Sequence, residues 1–138
     1  MEVPAMARVL IVEDSAAVRM ALVEVVASLG HDVTDAADGR DAIARLQTEL
    51  FDLVITDVLM PEADGVEVIK ALRTLDRDTR VLAVSGGAPD LPAGFALRMT
   101  EMFSADAVLY KPFLNDELEA VIGRLLAAKP VDAAPPKA

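Results

Sequence analysis

Five short β-favouring runs alternate along this chain with segments of helical periodicity, and that alternation restricts the fold more than any other feature of the sequence. The runs are Val9–Val12, Asp32–Ala36, Leu53–Thr56, Val81–Val84 and Ala107–Tyr110, and three of them are continuously apolar. A strand covered by helices on both faces reads as an unbroken apolar run. Strands alternating with helices imply an α/β domain built on a parallel sheet.

The first intervening segment predicts a helix from Ser15 to Leu29, with Val18, Leu22, Val25, Val26 and Leu29 on one face and Gly30 as the stop. A second is expected over Gly39–Leu50, capped by Asp38, with Ile43, Leu46 and Leu50 facing inward. Asp64 is the expected cap of a third, carrying Val68, Ile69, Leu72 and Leu75, and a fourth is expected over Ala93–Phe103 with Gly94 in its first turn. A fifth follows Asn115, its stripe formed by Leu118, Val121, Ile122, Leu125 and Leu126. The proline-rich residues 128–138 lack the apolar surface to join a core. The expected organisation is therefore an extension over 1–6, one domain over 7–127 and a disordered tail over 128–138.

The 138 residues suffice for one core without disulfides. With no cysteine and one histidine, thiolate chemistry, Cys-based zinc sites and His-rich metal sites are excluded, so any metal must be held by oxygen. Against 23 Asp plus Glu stand 13 Lys plus Arg, a formal charge of −10 that disfavours direct binding to nucleic acid. No apolar run approaches the ~20 residues of a membrane span, and Met1–Ala7 lacks the marks of a signal peptide, so a cytoplasmic location without membrane association is expected.

The chemistry concentrates where strands end. Glu13 and Asp14 follow the first run and Asp57 the third. Ligands of open parallel sheets bind outside the carboxyl ends of strands, and if the first and third strands are neighbours, about 4.8 Å apart, the three carboxylates converge. Two carboxylates about 5 Å apart repel by roughly 3 kcal/mol at an effective dielectric near 20, so the cluster calls for a cation. One or two carboxylates with waters and a phosphate oxygen suit Mg²⁺ better than Ca²⁺. Ser85 and Lys111 end the fourth and fifth runs, well placed to meet phosphoryl oxygens. Each of these residues alone reads as an ordinary loop or surface residue; the meaning lies in the set. Lys111-Pro112 also makes Pro112 a candidate for a cis peptide.

These motifs together resemble the receiver domain of bacterial two-component response regulators, over roughly Ala7 to Ala127. The resemblance rests on Val9–Asp14, on Asp52–Pro61 around Asp57, and on Asp64-Gly65, Ser85-Gly86 and Lys111-Pro112-Phe113. It implies a flavodoxin-like, doubly wound five-stranded parallel sheet of order 2-1-3-4-5 with five helices, an order the chemotaxis receiver exemplifies. It further implies that Asp57 is the phosphoacceptor, that Glu13, Asp14 and Asp57 hold Mg²⁺ (with Mn²⁺ as substitute) together with the Leu59 backbone carbonyl, and that Lys111 and Ser85 bind the phosphoryl group. The phosphoryl donor would be a phosphohistidine of a histidine kinase or histidine phosphotransferase, and the output a downstream protein. The receiver would not be an enzyme in its own right, though it would assist its own phosphorylation and dephosphorylation, as a monomer or a phosphorylation-dependent dimer.

Three positions depart from the family pattern. Glu13 stands where Asp is frequent, Val108 stands where an aromatic switch residue is common, and the Gly86–Gly94 connection is longer than usual. With Tyr110 the nearest aromatic, the expected switch surface comprises Gly86, Gly87, Val108 and Tyr110: phosphorylation would draw Ser85 toward Asp57 and reshape 86–94 and the helix after it. Two other readings compete. An aspartate-nucleophile phosphatase of the haloacid-dehalogenase type needs an Asp two residues after the nucleophile, where this chain has Leu59. A phosphorylation-independent adaptor would have no use for all five site residues.

Overall fold

A computed structural model of the chain describes residues 6–57, 64–75, 78–85 and 105–127. Five strands, β1 (Arg8–Val12), β2 (Asp32–Ala36), β3 (Leu53–Asp57), β4 (Arg80–Ser85) and β5 (Ala107–Tyr110), form one sheet of order β2-β1-β3-β4-β5. Every pairing in it is parallel. Among the described residues there are four helices: α1 (Ala16–Ser28), α2 (Gly39–Thr48), α3 (Asp64–Thr74) and α4 (Asn115–Ala127). This is the parallel α/β sheet that the alternation predicts, in the flavodoxin-like order that the family resemblance implies; the helix expected over 93–103 and the tail over 128–138 lie outside the described residues.

Because strand side chains alternate, the sheet has two apolar faces. Leu10, Val12, Val54, Val81 and Ala83 pack with Leu46 of α2 and with Val68, Ile69 and Leu72 of α3. Val9, Ile11, Leu53, Ile55, Leu82 and Val84 pack with Leu22 and Val26 of α1 and with Leu118, Ile122 and Leu125 of α4. Helices thus cover both faces, which is why β1, β3 and β4 are almost wholly buried.

Local chemistry sets the helix ends. The Ser15 hydroxyl accepts the Val18 N–H at 3.3 Å and the Asp38 carboxylate accepts the Asp41 N–H at 2.8 Å, each satisfying a donor that a first turn leaves open. Glu117 accepts the Leu114 N–H at 2.8 Å at the start of α4. Gly30, at φ 94°, turns the chain after α1 in a conformation unfavourable to residues with a Cβ. α3 is described from Asp64 onward, so Asp64, expected as the residue before the first turn, already belongs to the helix.

Three leucines expected to face inward are exposed: Leu29 at 38%, Leu50 at 66% and Leu75 at 38%. Each lies at or past a helix terminus, where the chain leaves the helical path and the 3.6-residue spacing stops applying. After α2 it is Phe51 that enters the core.

The amino end of the sheet is closed by side chains acting on main chain. Asp52 accepts the Arg8 N–H and Asp106 accepts the Val81 N–H, both at 2.8 Å, while Arg8 pairs with Glu49 at 2.8 Å. The carboxyl end is where the chemistry-bearing residues gather. Among the described residues no helix is long and apolar enough to cross a membrane.

Candidate functional site

The register decides which residues meet. β1 pairs with β3 through Val12↔Thr56, so Glu13 and Asp57 emerge side by side just past that rung. The Glu13 N–H continues the pairing with β2 by donating to Ala36 O at 3.1 Å. Across β4 and β5, Ser85 pairs with Tyr110, and the Lys111 N–H donates to Ser85 O at 2.8 Å. Lys111 is thereby carried past the last rung of β5, and the Lys111–Pro112 peptide is cis.

Three carboxylates converge there. Glu13, Asp14 and Asp57 each offer an oxygen, and these oxygens lie within 4.8 Å of one another. Glu13 and Asp57 are buried, at 1% and 6% exposure, whereas Asp14 is exposed. Lys111 Nζ sits between the two buried ones, donating to Glu13 Oε1 at 2.9 Å and to Asp57 Oδ2 at 2.8 Å. The second Glu13 oxygen, Oε2, accepts the Ser15 N–H at 3.2 Å.

The electrostatics follow from burial. Burial pushes the Glu13 carboxyl above its ordinary pKa, and the Asp57 charge adds to the rise, against the opposing hydrogen bonds from Lys111 and Ser15. Burial also disfavours charge on Lys111, but its hydrogen bonds to Asp57 and Glu13 outweigh that and raise its pKa, so it stays cationic. With all three carboxylates ionised the group carries −3 against the single +1 of Lys111, a net −2 held by oxygen donors alone. Such a donor set fits a hard divalent cation and excludes a soft one.

Ser85 is fully buried, and its Oγ has no hydrogen-bond partner among the described residues. A buried hydroxyl in that condition calls for an explanation beyond packing. Val108 packs half-buried on the α2/α3 side of the sheet and Leu109 on the other, while Tyr110 is 37% exposed. Leu59, Gly86 and Gly87 lie outside the described residues.

Two features had no signal in the sequence. A cavity of about 380 Å³ opens between α1 and α4, lined by Ala17, Ala21, Val25, Phe113 and Leu118 and reaching Lys111 at its edge. Arg19 of α1 donates to Glu13 O at 2.9 Å and pairs with Asp35 at 3.0 Å. Both depend on α1 lying beside β2 and α4, an adjacency no local motif encodes.

Comparison with known proteins bears on this geometry. The sequence profile of the response regulator receiver domain matches residues 9–123. The response regulator receiver protein CpdR of Brucella abortus is 36% identical over 125 residues, covering 89% of this chain and 100% of CpdR. The sensor kinase CckA of the same organism is 38% identical over 126 residues, 87% of this chain but 12% of the kinase. The match to the response regulator MprA of Mycolicibacterium vanbaalenii spans half of that protein. Among solved structures, the chemotaxis response regulator CheY4 of Vibrio cholerae superimposes with a TM-score of 0.77 at 32% identity, covering 88% of this chain and 99% of CheY4.

Proposed function

The chain belongs to the response regulator receiver domain family, and on that premise we propose that it takes a phosphoryl group from a phosphohistidine onto Asp57 and changes its protein-binding surface in consequence. The observation that carries this is Lys111 Nζ joining buried Asp57 and Glu13 at 2.8 and 2.9 Å beside a third carboxylate. A buried salt bridge is by itself weak evidence of a stabilising role, which leaves room for a chemical one here.

In the proposed reaction an Asp57 carboxylate oxygen attacks phosphorus, a P–O bond forms, and the P–N bond to the donor imidazole breaks with its electron pair returning to nitrogen. The chain's part is to position the nucleophile and offset charge. Lys111, held cationic by its neighbours, turns its N–H donors to the transferring oxygens. Glu13, Asp14 and Asp57, with the Leu59 carbonyl, would hold Mg²⁺ or Mn²⁺, which when bound supplies positive charge to the phosphoryl oxygens. Ser85 Oγ, without a hydrogen-bond partner among the described residues, would then donate to a phosphoryl oxygen. The group is taken up on the chain's own aspartate, so the protein would be a carrier that assists its own phosphorylation and dephosphorylation rather than an enzyme with a separate substrate.

The donor we propose is a histidine kinase or histidine phosphotransferase, whose helix would enter the cavity between α1 and α4 beside Lys111. The receiver of the signal would be a further protein, met as a monomer or through a phosphorylation-dependent dimer. The test is transfer from a phosphohistidine protein labelled on its phosphate. Wild type should take up the label with Mg²⁺ and not with EDTA, and Asp57→Asn should take up none. Stable labelling of Asp57→Asn, or labelling that survives removal of metal, would overturn the assignment.

A further inference from the structure

We infer that Arg19 is a positioning residue for the acidic site: by holding the Glu13 carbonyl, braced by its ion pair with Asp35, it fixes the peptide that carries Asp14 and so sets the affinity for a divalent cation. This rests on the reading of Glu13, Asp14 and Asp57 as the cation site.

Arg19 lies one turn into α1, four residues after the Ser15 cap, and the Arg19 N–H donates to Ser15 O at 2.8 Å. Helical side chains lean toward the amino end of the helix, here toward the end of β1. The guanidinium is largely buried, with 19% of its side chain exposed, and it serves two acceptors in different directions, Glu13 O at 2.9 Å and Asp35 Oδ2 at 3.0 Å. Asp35 is the neighbour of Ala36, whose carbonyl accepts the Glu13 N–H at 3.1 Å. The main chain of Glu13 is therefore held on both sides by the last two residues of β2: its N–H by Ala36 directly, its C=O by Asp35 through Arg19.

The consequence falls on Asp14. The Glu13 C=O and the Asp14 N–H belong to one rigid peptide plane, so the direction of the carbonyl governs where the next Cα and its carboxylate point. Glu13 has donors on both of its own carboxylate oxygens. Asp14 is exposed, and its carboxylate has no hydrogen bond among the described residues, so its place in the cluster depends on its backbone. Groups that orient metal ligands in this way typically change metal affinity about 10- to 100-fold when removed.

Positioning and simple electrostatics predict opposite signs. Deleting a positive charge near a cation site should tighten cation binding, whereas loosening Asp14 should weaken it. Calorimetric titration of the whole protein with Mg²⁺ reads this without phosphorylation. Arg19→Ala should bind about tenfold more weakly than wild type, and Arg19→Met, which keeps the aliphatic stem packed, should show the same loss. Arg19→Lys retains the charge but cannot serve both acceptors, and should restore only part of the affinity. Arg124→Ala, at the far end of α4, should match wild type. Unchanged or tighter binding by folded Arg19→Met, or full restoration by Arg19→Lys, would overturn the inference. Wild type that binds no Mg²⁺ would overturn the cation site and the inference together.

Discussion

At the scale of single residues, Lys111 and Ser85 make opposite demands on the fold. Lys111 compensates two buried carboxylates, so removing it takes their shared cation away, a loss that typically costs about 3–5 kcal/mol when the pair is fully enclosed and less with the lysine side chain 23% exposed. Lys111→Ala is expected to lower stability in urea titration and to slow labelling of Asp57, where Lys70→Ala, on the exposed side of α3, does neither. Equal effects from the two would remove Lys111 from the site. Ser85 is the reverse case. An unsatisfied buried hydroxyl is itself a cost of about 1–3 kcal/mol, so Ser85→Ala should leave stability unchanged or raise it by up to about 1 kcal/mol while weakening binding of beryllofluoride, an acyl-phosphate mimic. A marked loss of stability in Ser85→Ala would show that the hydroxyl has a structural partner. Both residues stand out in the sequence through position at strand ends, but the bridge from Lys111 to Glu13 does not, because it depends on β5 and β1 aiming their ends into one pocket across two intervening strands.

At the scale of elements, α1 does more than cover the sheet. Its buried stripe, Leu22 and Val26, was legible from spacing; its outward face, with Ala17, Met20 and Ala21 exposed, was not. An apolar outer face beside a cavity suits a partner helix. Replacing Ala21 with Trp should fill that cavity, and transfer from a phosphohistidine protein should fall at least about tenfold more than labelling by acetyl phosphate, a donor too small to need the groove; tenfold is ~1.4 kcal/mol of docking energy. Equal losses with the two donors would move the docking face elsewhere. Helix termini were the least legible elements: Leu29, Leu50 and Leu75 fit their helical stripes and yet are exposed, since periodicity carries no information on where the chain departs from the helix.

At the scale of the whole molecule, the parallel sheet and its two-faced core were legible because a continuously apolar run leaves its strand no option but burial between helices, whereas the strand order came only with the family resemblance. Leu82, fully buried on the central part of the α1/α4 side, tests that dependence: Leu82→Ala should cost about 2–5 kcal/mol, a large part of a domain stability of about 5–15 kcal/mol, seen as a lowered urea midpoint. A loss under about 1 kcal/mol would mean that the core is looser than the packing shows. What could not be read from the sequence is whatever depends on contacts between distant segments: the cavity, the Arg19 brace and the engagement of both Glu13 oxygens. The central claim is that Asp57 carries the phosphoryl group, and the most direct measurement is reduction of the phosphorylated protein with borohydride, which converts an acyl-phosphate aspartate to homoserine, followed by tandem mass spectrometry. The account predicts homoserine at position 57 and nowhere else, formed only when Mg²⁺ is present during phosphorylation. Homoserine at position 14, or phosphorylated protein that yields none, would contradict it.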